Sequence, residues 1–243
     1  EYIRRSNAPS DIGIMVAVKD RLHGARNPLS HLNLPNISHQ EVEDSIMLWD
    51  PIRFLEACPS SDGACAMIIA NEELVSESPK PPAWILGGAM RSEPTIYAGR
   101  DEVNPRAGRD CAKEVYAQAG ISNPRRQFDC AEVYVPFSWY EPMWLENLGF
   151  ADQGEGWRLT LDGATSLNEG GDIPWNCSGG VLSSNPIGAS GMIRFAEAAR
   201  QVRGDADQHQ VENAQLALGH AYGGGAQFFS MWVVGVWLDL LGV

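Results

Sequence analysis

Between Asn176 and Gly191 the chain reads Asn-Cys-Ser-Gly-Gly-Val-Leu-Ser-Ser-Asn-Pro-Ile-Gly-Ala-Ser-Gly, a run of small residues and amides suited to holding a negatively charged group. Gly179 and Gly180 can adopt positive φ and admit another group close to the backbone. Gly188, Ala189, Ser190 and Gly191 are small enough to open a helix against a ligand, and a helix N-terminus attracts an oxyanion or phosphate. Asn185 carries amide N–H donors, and Ser178 and Ser190 carry hydroxyls. Phenols and imidazoles occur elsewhere in the chain. A phenol, with an unperturbed pKa of about 10, is a poor base at neutral pH. It needs a neighbouring cation or donor to act as one. The same glycine-rich pattern also describes a buried strand–turn–helix joint, in which none of these residues meets a ligand.

Elements with recognisable periods must position these groups. After Gly191, the residues Met192, Phe195, Ala196, Ala199 and Val202 recur at three and four, which predicts a helix with one apolar face. Arg200 and Arg203 in its last turn and Gly204 as its stop suit the macrodipole and the C-cap. Ser10 to Gly24 predicts a helix with Ser10 as cap, broken near Pro28. Ala64 to Ala70 is small and apolar throughout and predicts a strand covered on both faces, after an Asp62-Gly63 turn. Ala83 to Met90 predicts another strand. Gly108 to Gly120 predicts a helix with Ala112, Val115, Tyr116 and Ala119 on one face. Cys130 to Val135 predicts a strand, with a break at Pro136 and a helix to Leu148. Leu216 to Val236 predicts a strand pair, the apolar run from Phe228 to Trp237 being too short for a membrane span.

Composition excludes several function classes. The chain has 243 residues, 44% of them hydrophobic, enough for a sizeable core. Its formal net charge of −13 argues against electrostatic binding to nucleic acid or an anionic membrane. Five cysteines without metal-ligand spacing suggest a reducing, cytoplasmic setting, and most read as small core residues. The sequence opens on Glu1 with neither an initiator Met nor a signal peptide, so a fragment of a longer chain is expected.

The Asn176–Gly191 run resembles the N-x-(S/N)-G-G…G-H-P-x-G-A-(S/T)-G signature of the thiolase superfamily, within it the sterol-carrier-type thiolases and lipid-transfer thiolase-like proteins. Cys58-Pro-Ser-Ser-Asp-Gly-Ala-Cys-Ala is similar to the segment that returns a thiolase chain to its first half. Leu216-Ala-Leu-Gly-His-Ala-Tyr-Gly-Gly-Gly resembles the superfamily's last strand pair. The resemblance implies an α/β fold of thiolase-like αβαβα layers. Residues 1–50 would be a helical loop domain over the acyl-CoA, 51–93 the end of an N-terminal half, and 94–243 a complete C-terminal half. Arg4, Arg5, Lys19, Arg21 and Arg26 then either form a solvated face or touch a CoA phosphate.

Four positions depart from the thiolase pattern. Asn185 stands where the family has His, Ala221 where biosynthetic thiolases have an acid/base Cys, and Tyr134 and Pro136 where sterol-carrier-type thiolases have His and Cys. Thiolysis needs a thiolate nucleophile and an acid/base thiol, so the resemblance implies the fold and an acyl-CoA-shaped pocket but not thiolysis. Asn185 can still donate to a thioester oxygen. Phenols beside such a cradle suit retro-aldol cleavage of a β-hydroxyacyl-CoA, which needs no acyl-enzyme. The combination resembles the steroid side-chain-cleaving aldolases of bacterial sterol (cholesterol) catabolism, which convert a 17-hydroxy steroid side-chain CoA ester to a 17-ketosteroid and propionyl-CoA.

On this reading Tyr134, Tyr222, Asn185 and His220 are the expected catalytic residues: the two phenols fall where thiolases keep acid/base groups, and His220 would assist a phenol or donate to an oxyanion. Ser178, Gly179, Gly180, Gly188, Ala189 and Ser190 are the expected substrate-binding set, with Tyr140 and Glu141 in support. No metal and no cofactor are expected, the CoA thioester being part of the substrate. The resemblance further implies a homodimer and a small acyl-CoA-binding partner built from an OB fold and a zinc ribbon. The alternatives are a non-catalytic acyl-CoA or lipid carrier and a structural subunit paired with an active homologue.

Overall fold

The computed structural model describes residues 1–95, 97–167 and 171–237. Its helices are α1 (Tyr2–Ser6), α2 (Ile12–Gly24), α3 (His39–Glu43), α4 (Arg106–Gln118), α5 (Pro124–Gln127), α6 (Tyr140–Asn147), α7 (Gly156–Leu161), α8 (Gly180–Ser183) and α9 (Ser190–Arg203). The strands are β1 (Met47–Trp49), β2 (Ile52–Arg53), β3 (Trp84–Ser92), β4 (Cys130–Val133), β5 (Leu216–Gly223) and β6 (Phe228–Gly235). β1 and β2 make a small ribbon, and the other four form one sheet in the order β3-β6-β5-β4. β4 runs parallel to β5, and the other two pairings are antiparallel.

Side chains alternate across a strand, and here the alternation divides the core between two helix layers. Phe229, Met231 and Val233 of β6 join the cluster that holds Ala107, Cys111 and Val115 of α4. Val234 and Trp232 pack instead with Phe195, Ala198 and Val202 of α9. The result is a mixed α/β fold with helices on both faces of one sheet. Each fully buried side chain of Phe or Met size contributes about 1.5–3 kcal/mol relative to exposure. The outer edge of β4 is not free: Ala131 N–H donates to Pro174 O at 3.0 Å and Asn176 N–H to Ala131 O at 2.8 Å. Those two bonds bring the glycine-rich run alongside the sheet.

Several sequence expectations need correction. Residues 64–70 form no strand and lie largely in solvent, with Ile68 98% exposed. A strand requires a hydrogen-bonding neighbour, and among the described residues none lies beside this segment. The helix expected from Ser10 is capped at Asp11, with no side-chain cap bond. The strand from Cys130 stops at Val133, two residues early, because the Tyr134 N–H turns to His220 Nδ1 at 3.3 Å. The buried face of α9 also differs. Met192 is exposed and Ala196 and Ala199 are only partly covered, whereas Arg194, Glu197, Ala198 and Gln201 are buried with Phe195 and Val202. Its inward polar groups have internal partners, which an apolar-period reading does not detect. Among the described residues no helix is long and apolar enough to cross a membrane.

Candidate active site

The glycine-rich run is anchored by its first residue. Asn176 adopts φ 52°, a left-handed conformation that Asn tolerates better than most residues. Its Oδ1 accepts the Val133 N–H at 2.8 Å, and its Nδ2 donates to Asp20 Oδ2 at 3.1 Å. Gly179 has φ 90°, and a Cβ built there would lie 2.4 Å from the Gly24 Cα. The close neighbour that this glycine admits is therefore helix α2, not a ligand. A Cβ on Gly180 would meet the Asn176 side chain at 2.9 Å.

Ser178 is also turned inward. Its N–H and Oγ both donate to Glu132, at 2.9 and 2.6 Å, and Arg194 Nη1 reaches Glu132 Oε2 at 2.5 Å and Ser178 Oγ at 2.7 Å. Burial raises the Glu132 carboxyl, and the Arg194 guanidinium opposes that rise. Of the six residues expected to touch substrate, Ser178, Gly179 and Gly180 thus belong to the interior joint. Gly188 is exposed with open space around it, Ala189 is partly buried and Ser190 is fully buried.

The groups that do converge surround Asn185. Its Oδ1 accepts from Ser190 Oγ at 2.7 Å and from Tyr134 Oη at 3.2 Å. Its Nδ2 donates to the Cys58 thiol at 3.1 Å, and the second N–H has no hydrogen-bond partner among the described residues. Ser61 holds the Asn185 backbone, accepting its N–H at 3.0 Å and donating its own N–H to Asn185 O at 3.4 Å. The Ser61 hydroxyl in turn meets His31 Nδ1 at 2.8 Å.

Beside this amide, the Tyr134 ring meets the Tyr222 ring edge-on with centroids 5.3 Å apart, and Tyr140 packs against Tyr222 at the same distance, tilted by 37°. All three tyrosines are partly exposed. Burial pushes the Tyr134 phenol up, and burial followed by the Tyr140 hydroxyl pushes Tyr222 far above the tyrosine range. Both phenols are protonated at neutral pH.

His220 does not supply the cation that would lower them. It is fully buried, burial depresses it to about 3, and its Nδ1 accepts the Tyr134 N–H. The ring is neutral, its proton is on Nε2, and Nε2 has no hydrogen-bond partner among the described residues. The site can therefore present amide N–H to a developing oxyanion, and neutral phenols as acids.

Of the five loop-domain cations, Arg4, Arg5, Lys19 and Arg21 are committed elsewhere. Arg4 and Arg5 pair with Glu1, and Arg5 also with Asp101. Lys19 lies between Asp20 at 3.2 Å and Glu141 at 2.5 Å, all three in the interior. Arg21 caps the carbonyls of Leu55, Ala57 and Leu182. Glu141, expected as a supporting residue, accepts from Lys19, Thr160 and Thr165. Sequence reasoning missed Cys58 and Ser61 as neighbours of Asn185. The Cys58-Pro-Ser-Ser-Asp-Gly turn carried the signal, since such turns present side chains at the ends of elements.

The comparisons with known proteins bear on this geometry. A family model described as Thiolase C-terminal domain-like matches residues 88–235. An acetyl-CoA acetyltransferase of Methanothermobacter thermautotrophicus is 32% identical over 212 residues, covering 86% of this chain and 54% of the relative. A steroid side-chain-cleaving aldolase of Thermomonospora curvata is 34% identical over 210 residues, covering 84% of this chain and 52% of the relative. A solved Ltp2-ChsH2(DUF35) aldolase superposes with a TM-score of 0.84 at 29% identity, covering 96% of this chain and 60% of that one. The chain thus spans about half the length of the curated relatives it matches. With its two-sided α/β sheet and its glycine-rich run beside β4, the chain belongs to the thiolase C-terminal domain-like family, in the sterol-carrier-type branch near the aldolases.

Proposed function

We propose that the protein catalyses retro-aldol cleavage of a β-hydroxyacyl-CoA, specifically a 17-hydroxy steroid side-chain CoA ester giving a 17-ketosteroid and propionyl-CoA. The observation that carries this reading is the Tyr134 hydroxyl bonded to the Asn185 amide, with the Tyr222 ring 5.3 Å from that of Tyr134. The aldolase-named relatives support it.

The chemistry follows from the protonation states. The substrate hydroxyl gives its proton to a phenol oxygen in the same step in which that phenol's own proton passes to the α-carbon, so no phenol becomes charged. The Cα–Cβ bond breaks, the β-carbon becomes a ketone, and the α-carbon gains hydrogen. As the Cα–Cβ bond breaks, enolate charge builds on the thioester oxygen, where the free Asn185 N–H donates to it. No phenolate is needed at rest, and neither thiolate nor water is consumed. His220 holds the Tyr134 backbone and stays neutral. In this reading the protein is a homodimer working with a small OB-fold and zinc-ribbon acyl-CoA-binding partner; the two-component Ltp2-ChsH2(DUF35) aldolase supports a partner subunit and no more.

A carrier is the second reading, and one observation favours it: both phenols are protonated, and among the described residues no charged base stands beside them. The test is incubation with a β-hydroxyacyl-CoA steroid, with and without the partner, followed by mass spectrometry. Release of the ketone and the shortened acyl-CoA is expected. Tight binding without ketone would replace the lyase by the carrier.

A further inference from the structure

We infer that Ser190 is a positioning residue that decides which end of the Asn185 side-chain amide faces the substrate. The inference rests on the proposed use of that amide as the enolate's hydrogen-bond donor. A carboxamide has one acceptor oxygen and two donor N–H groups, and rotation by half a turn exchanges them with almost no change of shape. A donor end facing the thioester stabilises an oxyanion; an oxygen there repels it. Something must hold the difference.

Three contacts hold it here: Ser190 Oγ at 2.7 Å and Tyr134 Oη at 3.2 Å on Oδ1, and the Cys58 thiol at 3.1 Å on Nδ2. They are unequal. The Tyr134 bond is the longer of the two to oxygen, and Tyr134 gives up that proton when it acts as an acid. The Cys58 thiol can donate as well as accept, so it tolerates either end of the amide. Ser190 is fully buried and keeps its proton through the reaction; its hydroxyl donates to Asn185 Oδ1, and an amide nitrogen turned into that place could not accept the bond. It is the first residue of α9, and its side chain also adjoins the Tyr134 phenol. The backbone of Asn185 is pinned separately by Ser61, so loss of Ser190 frees the amide without moving the chain.

The test compares four variants in steady-state kinetics on the β-hydroxyacyl-CoA substrate. Asn185→Ala is expected to lower kcat by about 100-fold. Ser190→Val is expected to lower kcat by at least about tenfold with KM changed less than about threefold, whereas Ser190→Thr, of the same shape but with a hydroxyl, stays within about threefold of the parent. Ser190→Ala repeats the comparison without added bulk. In a sample labelled with 15N-asparagine, the Asn185 side-chain amide signals are expected to shift in Ser190→Val and not in Ser190→Thr. Equal rates and equal signals for the Thr and Val variants, with Asn185→Ala impaired, would overturn the positioning role and leave the lyase reading intact. Parental activity in Asn185→Ala would remove the donor reading itself.

Discussion

Arg194 reaches Glu132 across 2.5 Å, with 2% and 1% of the two side chains exposed, and the Ser178 hydroxyl bonds to both. The pair fastens α9 to β4 and takes the motif serine out of solvent. Removing one member of a buried pair strands the other charge. Arg194→Met is expected to cost about 3–5 kcal/mol in urea denaturation. Adding Glu132→Gln, which removes the stranded charge and keeps an acceptor for Ser178, is expected to restore more than half of that loss.

The two ends of the glycine-rich run make a contrasting pair. A methyl on Gly179 would collide with the Gly24 Cα at 2.4 Å in a left-handed backbone, whereas Gly188 has nothing within 4 Å. Gly179→Ala is expected to destabilise by at least about 2 kcal/mol, and Gly188→Ala to stay within about 0.5 kcal/mol. Thermal melts of the two proteins check this directly.

Tyr134→Phe and Tyr222→Phe are each expected to lower turnover by at least about tenfold while the melting temperature stays near that of the parent. With both phenols raised by burial, the parent's kcat is expected to be level between pH 6.5 and 8.5. A tenfold rise per pH unit over that range would instead require a resting phenolate.

His23 predicts a pH dependence of stability. It is 1% exposed, donates Nδ1–H to Asn176 O at 3.1 Å, accepts the Leu167 N–H at 3.0 Å, and is depressed by burial to about 3. A folded pKa below the unfolded value of about 6.5 means that the unfolded chain binds the extra proton between them. This contribution is full above pH 6.5 and is lost as pH falls toward 3, by up to about 1.4 kcal/mol per pH unit. His23→Gln is expected to flatten the acid side of the stability curve by up to that slope. Asp20 acts with the opposite sign. Burial raises it to about 7, so its contribution is full below about 3.9 and is lost as pH rises through 7. Asp20→Asn is expected to steepen the acid fall, measured by denaturation at pH 4 to 7.

Much of the fold is legible in the sequence because it depends on local periods. The α4 stripe of Ala112, Val115, Tyr116 and Ala119 is buried as its spacing predicts, and the Leu216–Val236 strand pair forms with near-matching bounds. The segment 64–70 was misread because its apolar composition states a preference for burial without supplying the neighbour that burial needs. The α9 face differs from its apolar period because Arg194, Glu197 and Gln201 are polar by type and buried through partners outside the helix.

By itself, the sequence determined the helix and strand periods, the family signature with Asn185 and Tyr134 in place of its imidazoles, and hence the absence of thiolase chemistry at those positions. Those are properties of residues and their near neighbours. Only the tertiary structure decided that Gly179 opens toward Gly24, that Ser178 serves an ion pair, and that Asn185 is held among Ser190, Tyr134 and Cys58. Hydrogen-bond partners and desolvation depend on groups brought together from distant parts of the chain, and no spacing along one segment encodes them.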